Sequence, residues 1–239
     1  MAVRAWKLPA LLIAALAAAC SPAAPDGETP PNTANAAVAD DAAGAAPQAL
    51  APDAKLVVAF GDSLFAGYRL GRGEGFAPAL ERRLSAGGLK ASVFNAAVSG
   101  DTTQGARQRL AFTLDGLPRK PDLVILGVGG NDMLRGLGPE QTRDNLEAIL
   151  SELRTREIPA MLTGMLAAPN LGAEYAADFN PIYPQLAAKF DVPLYPFFLE
   201  GAIGQRGLML ADGIHPNGEG VEAIAARIAP LVSRAIPAR

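Results

Sequence analysis

The sequence predicts an α/β fold, a three-layer α/β/α sandwich on a central parallel sheet. Three observations carry this expectation. Short continuous apolar runs recur from Lys55 onward, segments of helical spacing alternate with them, and polar, mostly glycine-containing segments follow several of the runs. Runs that are apolar on both faces suit strands covered from both sides, as in a parallel sheet between helical layers.

The elements follow in order. Residues 56–60 form the first run, which ends at Gly61. The segment beginning near Phe76 reads as a helix stopped by Gly87-Gly88, since glycine accepts the conformations that end helices. Residues 92–98, 123–128 and 160–165 repeat the strand pattern, and residues 192–198 give a weaker, proline-interrupted version. Within residues 140–156, Leu146, Ile149, Leu150 and Leu153 recur at i, i+3, i+4 and i+7, and Pro139 suits a first helical turn. Residues 221–232 do the same with Ile224, Ala225, Ile228 and Leu231. Internal repeats are absent.

Composition bounds the rest. The chain has 239 residues, 50% of them hydrophobic and 19% charged, enough apolar material for one sizeable core. A single Cys and a single His exclude an internal disulfide and leave a Cys/His zinc site short of ligands. A net charge of -3 argues against nucleic acid, which needs a basic footprint.

The N-terminal residues have another character. Arg4 and Lys7 precede an apolar run over residues 8–19, shorter than the ~20 residues a bilayer span requires, so residues 1–19 read as a secretory signal. Cys20 stands directly behind Leu16-Ala17-Ala18-Ala19, which resembles a lipobox whose Cys is diacylated and becomes the mature N-terminus. The same residues also fit an Ala-x-Ala cleavage site followed by an incidental thiol. Residues 20–53 read as the lipobox Cys and a tether. From Ser21 to Asp53 there are 12 Ala, 6 Pro and no Lys or Arg, and the apolar side chains show no period. Such a stretch buries too little to offset its ordering entropy, so it is expected to be disordered. Residues 54–239 then form the folded domain, with 19 Lys and Arg against 19 Asp and Glu. The expected location is a lipid-anchored position in the bacterial envelope; resemblance to lipoproteins in which Asp after the Cys is the inner-membrane retention signal implies the outer membrane, periplasm-facing or at the surface, since Ser21 follows Cys20. A soluble periplasmic protein is the alternative.

In open α/β sheets the chemistry sits beyond the carboxyl ends of the strands. The first strand runs into Gly61-Asp62-Ser63-Leu64, the second into Ser99-Gly100-Asp101 and the third into Gly129-Gly130-Asn131-Asp132. Asp212-Gly213-Ile214-His215-Pro216 precedes the last helix. Ester hydrolysis by a serine needs a base within hydrogen-bond reach, a group to orient that base, and donors for a developing oxyanion. Ser63 is the candidate nucleophile, His215 the base and Asp212 its orienter. The N–H groups of Ser63 and Gly100 and the Asn131 amide are candidate oxyanion donors. Taken singly, Ser63 also reads as a helix N-cap, and the Asp-Gly and Asn-Asp pairs as plain turns. Four such segments at four strand-end positions favour the catalytic reading. A Gly-x-Ser-x-Gly elbow is excluded, because Phe65 stands where its second glycine would be.

Ser63, Gly100, Asn131 and His215 match in order the name-giving positions of the SGNH (GDSL-type) hydrolases, which the sequence resembles. Residues 61–68, 95–102, 129–136, 190–198 and 212–217 resemble the branch holding thioesterase I/lysophospholipase L1 and arylesterases. The resemblance implies a flavodoxin-like sandwich. It also implies a serine esterase working through an acyl-enzyme, with catalytic Ser63, Asp212 and His215 and no metal or organic cofactor. The expected partner is a small-molecule or lipid ester, with a membrane contact if Cys20 is acylated, and a monomer is favoured. Met133 and Leu134, with residues 166–179, are candidates for lining an acyl groove. Three readings stay open: a broad carboxylesterase, lysophospholipase or thioesterase; a carbohydrate esterase deacetylating envelope polysaccharide; and an inactive tethered binding module.

Overall fold

A computed structural model describes residues 53–238. The expected signal segment, Cys20 and nearly all of the tether lie outside them. Among the described residues, five parallel strands form one sheet in the order β2-β1-β3-β4-β5. They are β1 (Lys55–Gly61), β2 (Ala91–Asn95), β3 (Leu123–Gly127), β4 (Ala160–Thr163) and β5 (Leu194–Tyr195). The helices are α1 (Ser63–Ala66), α2 (Phe76–Ala86), α3 (Thr103–Asp115), α4 (Gly130–Leu134) and α5 (Pro139–Thr155). They continue with α6 (Gly172–Phe179), α7 (Ile182–Phe190) and α8 (Gly218–Ala235).

Strand alternation creates the layers. Val57, Ala59, Leu123, Ile125 and Met161 face one apolar cluster, which they share with Leu80 and Leu84 of α2 and Ile224 and Ile228 of α8. Val58, Phe60, Val124, Leu126 and Leu162 face the other, with Leu110 of α3, Leu146 and Ile149 of α5 and Leu186 of α7. β1, β3 and β4 therefore bury both faces, which is why they read as uninterrupted apolar runs, whereas the edge strands β2 and β5 bury one face fully and the other only in part.

Three expected boundaries shift, each for a local reason. The second strand ends at Asn95, whose side-chain oxygen accepts the Ala97 N–H at 3.1 Å and turns the chain. Ladder bonds nevertheless continue from Ala96 N–H to the Ala59 carbonyl at 2.9 Å and from Val98 N–H to the Gly61 carbonyl at 3.0 Å. β5 shrinks to two residues between Pro193 and Pro196, which have no N–H to give. α8 begins earlier than the apolar period suggests, at a cap in which Asn217 Oδ1 accepts the Gly220 N–H at 2.9 Å. Its inner face is centred so that Val232 is fully buried while Leu231 is only partly so.

The strand order has a functional consequence. β1 leads to β2 on one side and is flanked by β3 on the other, so the chain reverses its direction of winding between β1 and β3. A crevice opens at such a switch point, at the carboxyl ends of the strands. Ser63 follows β1 and Asn131 follows β3. The chain enters the sheet at the opposite pole, where the Arg119 guanidinium holds the Ala54 carbonyl at 2.7 Å.

Candidate active site

Ser63 is the first residue of α1 and is not its cap. Asp62 is the N-cap, and its Oδ1 accepts the Leu64 N–H at 3.1 Å. That leaves the Ser63 hydroxyl free to meet His215. The turn is tight because Phe65 folds back over the strand ends. A side chain at Gly61 would begin 2.6 Å from the Phe65 ring, and one at Gly127 2.4 Å from it. Phe65 in turn packs on Phe76 and Phe198, with ring centroids 4.6 and 4.8 Å away. The elbow's second glycine is thus replaced by an aromatic wedge that needs glycines elsewhere.

His215 lies on the loop before α8. Its backbone carbonyl accepts the Leu210 N–H at 2.8 Å, and Met209 pairs with Pro216 in an antiparallel bridge. Its Nε2 stands 2.8 Å from Ser63 Oγ and its Nδ1 2.9 Å from Asp212 Oδ2. Asp212 Oδ1 meanwhile accepts the backbone N–H groups of Ile214 and His215 at 2.9 and 3.0 Å. Partial burial works to raise the Asp212 pKa. The two N–H bonds and the imidazole outweigh it and hold the carboxyl at about 2. Asp212 is therefore a fixed anion. On its other side the imidazole meets the Tyr68 ring, centroid to centroid 4.5 Å.

The expected donors lie on the segments that follow β1, β2 and β3. Gly100 adopts a φ of 84°, a left-handed conformation that glycine reaches without strain. Among the described residues, neither the Ser63 nor the Gly100 N–H gives a hydrogen bond. Asn131 Nδ2 donates to the Asp101 carbonyl at 2.9 Å and stands 3.5 Å from Asp62 Oδ2. Next to it Asp132 is fully buried, with Oδ2 accepting the Thr103 N–H at 2.8 Å and Oδ1 the Thr103 hydroxyl at 2.5 Å. Asn145 Nδ2 closes this cluster by donating to Thr103 Oγ1 at 3.2 Å. Burial pushes the Asp62 carboxyl up to about 7, with the charges of Asp101 and Asp132 adding to it against the Leu64 N–H.

The structure brings Ser63, His215 and Asp212 into one hydrogen-bonded line, ties Asn131 to the Asp101 carbonyl next to Gly100, and separates the two groove candidates. Met133 turns inward, packs in the core shared by α5 and α7, and its Sδ accepts the Ala168 N–H at 3.1 Å. Leu134 turns outward and is exposed. Of residues 166–179, Leu166 is exposed while Phe179 belongs to the core. The sequence reading missed Asp62 as cap, Tyr68, the Asp132 cluster, and Arg109, which donates to the Gly61 and Ala96 carbonyls. Only the cap carried a local signal, an Asp one place ahead of a helix. Among the described residues, no three His, Cys, Asp or Glu side chains come together to hold a metal, and no helix is long and apolar enough to cross a membrane.

Known proteins are similar to this chain in sequence and fold. Esterase TesA of Pseudomonas aeruginosa is 39% identical over 163 residues, 68% of this chain and 80% of that protein. Thioesterase 1/protease 1/lysophospholipase L1 of Escherichia coli is 37% identical over 190 residues, 78% of this chain and 88% of its own length. The crystal structure of AlinE4, an SGNH-hydrolase family esterase, matches at 48% identity with a TM-score of 0.67, over 79% of this chain and 100% of that one. The GDSL-like lipase/acylhydrolase family model matches residues 59–223, and the chain belongs to that family.

Proposed function

We propose that this protein is a serine esterase that cleaves carboxylic esters and thioesters through an acyl-enzyme. The observation that carries the reading is the hydrogen-bonded line from Asp212 through His215 to Ser63, at 2.9 and 2.8 Å. His215 Nε2 takes the hydroxyl proton as Ser63 Oγ attacks the acyl carbonyl, and Asp212 stabilises the imidazolium that forms. The tetrahedral oxyanion is held by the N–H groups of Ser63 and Gly100 and by Asn131 Nδ2. Loss of any one such donor costs ~3–4 kcal/mol of transition-state stabilisation. His215 then gives its proton to the leaving oxygen or sulfur, the bond to it breaks, and Ser63 carries the acyl group. Water, deprotonated by the same imidazole, releases the acid. An intact nucleophile, base and orienter weigh against an inactive binding module.

The substrate is an apolar acyl ester of short to medium length. Val98, Leu134, Leu166 and Ile214 are large apolar side chains left exposed, and each sits on a segment that follows a strand or adjoins His215. The names of the similar proteins, esterase, thioesterase and lysophospholipase among them, support the same class. Purified residues 54–239 should hydrolyse short-chain aryl esters without added metal. Ser63→Ala should remove that activity, and an unchanged rate would refute the assignment.

The enzyme is exported and held by lipid at Cys20, a reading supported by the signal-like residues 1–19 and the position of the chain's only Cys.

A further inference from the structure

We infer that Arg109 is a positioning residue that sets the spacing of the oxyanion donors, an inference that rests on the serine esterase reading. Arg109 lies in α3 and touches neither Ser63 nor His215. Its guanidinium is nonetheless a hub for the segments that carry the donors. Nε donates to Asp101 Oδ2 at 2.5 Å, Nη1 to the Ala96 carbonyl at 2.6 Å and Nη2 to the Gly61 carbonyl at 3.0 Å. The three acceptors belong to the end of β1 two residues before Ser63, the end of β2, and the residue directly after Gly100. Asp101 extends the connection, because its own carbonyl accepts Asn131 Nδ2 at 2.9 Å. All three proposed donors are therefore within two links of one side chain.

The chemistry of the side chain suits this task. A guanidinium is planar and presents its N–H groups in fixed directions, so it specifies the angles between its acceptors as well as their distances. Here the plane is also seated, with Cζ 4.0 Å over the Phe60 ring, and both Arg109 and Asp101 are mostly buried. Oxyanion stabilisation depends on donors placed within ~0.5 Å of the productive geometry. Without Arg109, the Ala96 carbonyl loses this donor, the Gly61 carbonyl keeps only the Val98 N–H, and the Asp101 side chain, next to Gly100, is released from the end of β1. Lysine offers a point charge with no fork. It can hold Asp101 but not all three acceptors.

The test uses the purified enzyme, with Arg109→Lys and Arg109→Ala compared to wild type and Ser63→Ala. Activity on an aryl ester is measured per active site, counted with a chromogenic phosphonate that labels Ser63. Affinity is measured for an alkyl trifluoromethyl ketone, which forms a tetrahedral oxyanion adduct. The expected result for Arg109→Ala is a kcat lower by about 10²-fold with KM within about threefold, and a parallel loss of ketone affinity. Arg109→Lys should recover part of both. Should Arg109→Ala not fold, Arg109→Lys decides by the same split between kcat and KM. The inference is overturned if kcat per titrated site stays at the wild-type level, or if it falls while ketone affinity is unchanged. Equal activity of wild type and Ser63→Ala would instead overturn the serine esterase reading, whatever Arg109 does.

Discussion

The Tyr183 hydroxyl occupies the place where a side chain at residue 129 would begin. It donates to the Val128 carbonyl at 2.8 Å, and a Cβ on Gly129 would stand 2.1 Å from its oxygen. Gly129 also has a φ of 123°, a region that side chains rarely enter. Tyr183 is buried on α7, so this contact fixes the turn that delivers Asn131 to the site.

Gly129→Ala is therefore expected to destabilise the domain by about 3 kcal/mol or more, or roughly 6–12 °C in Tm for a domain of this size. Adding Tyr183→Phe should restore part of that loss, because the ring carbon beneath the hydroxyl is 3.4 Å from the new methyl group. Gly136→Ala has an open site at a φ of 67° and should cost only ~1 kcal/mol. Thermal unfolding of the four proteins checks this, and no recovery in the double variant would contradict the contact.

Asp62 makes stability depend on pH. Burial raises its carboxyl from 3.8 to about 7 in the folded protein. Between those values the native state keeps a proton that the unfolded chain has released, so stability falls as pH rises towards 7 and stays low above it. A shift of that size corresponds to about 4 kcal/mol, of which about 3 develops between pH 5 and 8. Asp62→Asn carries no titrating proton. Its stability relative to wild type should climb by that amount over the same interval, measured by urea unfolding at each pH. A difference independent of pH would rule out the raised carboxyl.

Asp212→Asn should leave the fold intact and remove most of the turnover. The new Oδ1 can still accept the Ile214 and His215 N–H groups, but an amide NH₂ would face Nδ1 where an acceptor stood. The imidazole would then carry its proton on Nε2 and could no longer accept from Ser63. In a Ser-His-Asp system this change lowers kcat by about 10⁴-fold. Steady-state kinetics beside a thermal melt tests it. Because Asp212 stays ionised down to about 2, the wild-type rate should show no loss from its protonation above pH 4.

Cell fractionation tests the anchor. Wild type should sediment with membranes and begin at an acylated Cys20, whereas Cys20→Ala should be soluble. Two or three acyl chains hold stably at ~0.8 kcal/mol per buried CH₂, where one chain would not. A soluble, unacylated wild type would leave only an ordinary secretory signal.

Much of the site was legible because each of its members lies in a short polar segment that adjoins a core element. Ser63, Gly100 and Asn131 follow apolar runs, and Asp212 and His215 share one loop. Arg109 was not legible, since its acceptor Gly61 is 48 residues away and an Arg in an amphipathic helix reads as surface. The Asp132 cluster spans 29 residues to Thr103 and hides for the same reason. Met133 and Leu134 show the limit within a single turn. Both are apolar neighbours, and only the packing of α4 against the core sends one inward and the other out.

The sequence by itself determined the alternation of buried strands and amphipathic helices, the class of sandwich they build, and the short polar segments that carry Ser63 and His215. Those follow from periodicity and from chemistry carried by single residues. Tertiary structure decided the strand order β2-β1-β3-β4-β5, which places the segments of Ser63 and Asn131 beyond the carboxyl ends of the adjacent strands β1 and β3. It also gave the cap of α1 to Asp62 and left Ser63 free, and it drew Ser63 and His215 to 2.8 Å across 152 residues of chain. Periodicity specifies which face of an element is buried. Which partner covers that face is settled only when the two cores close around the sheet.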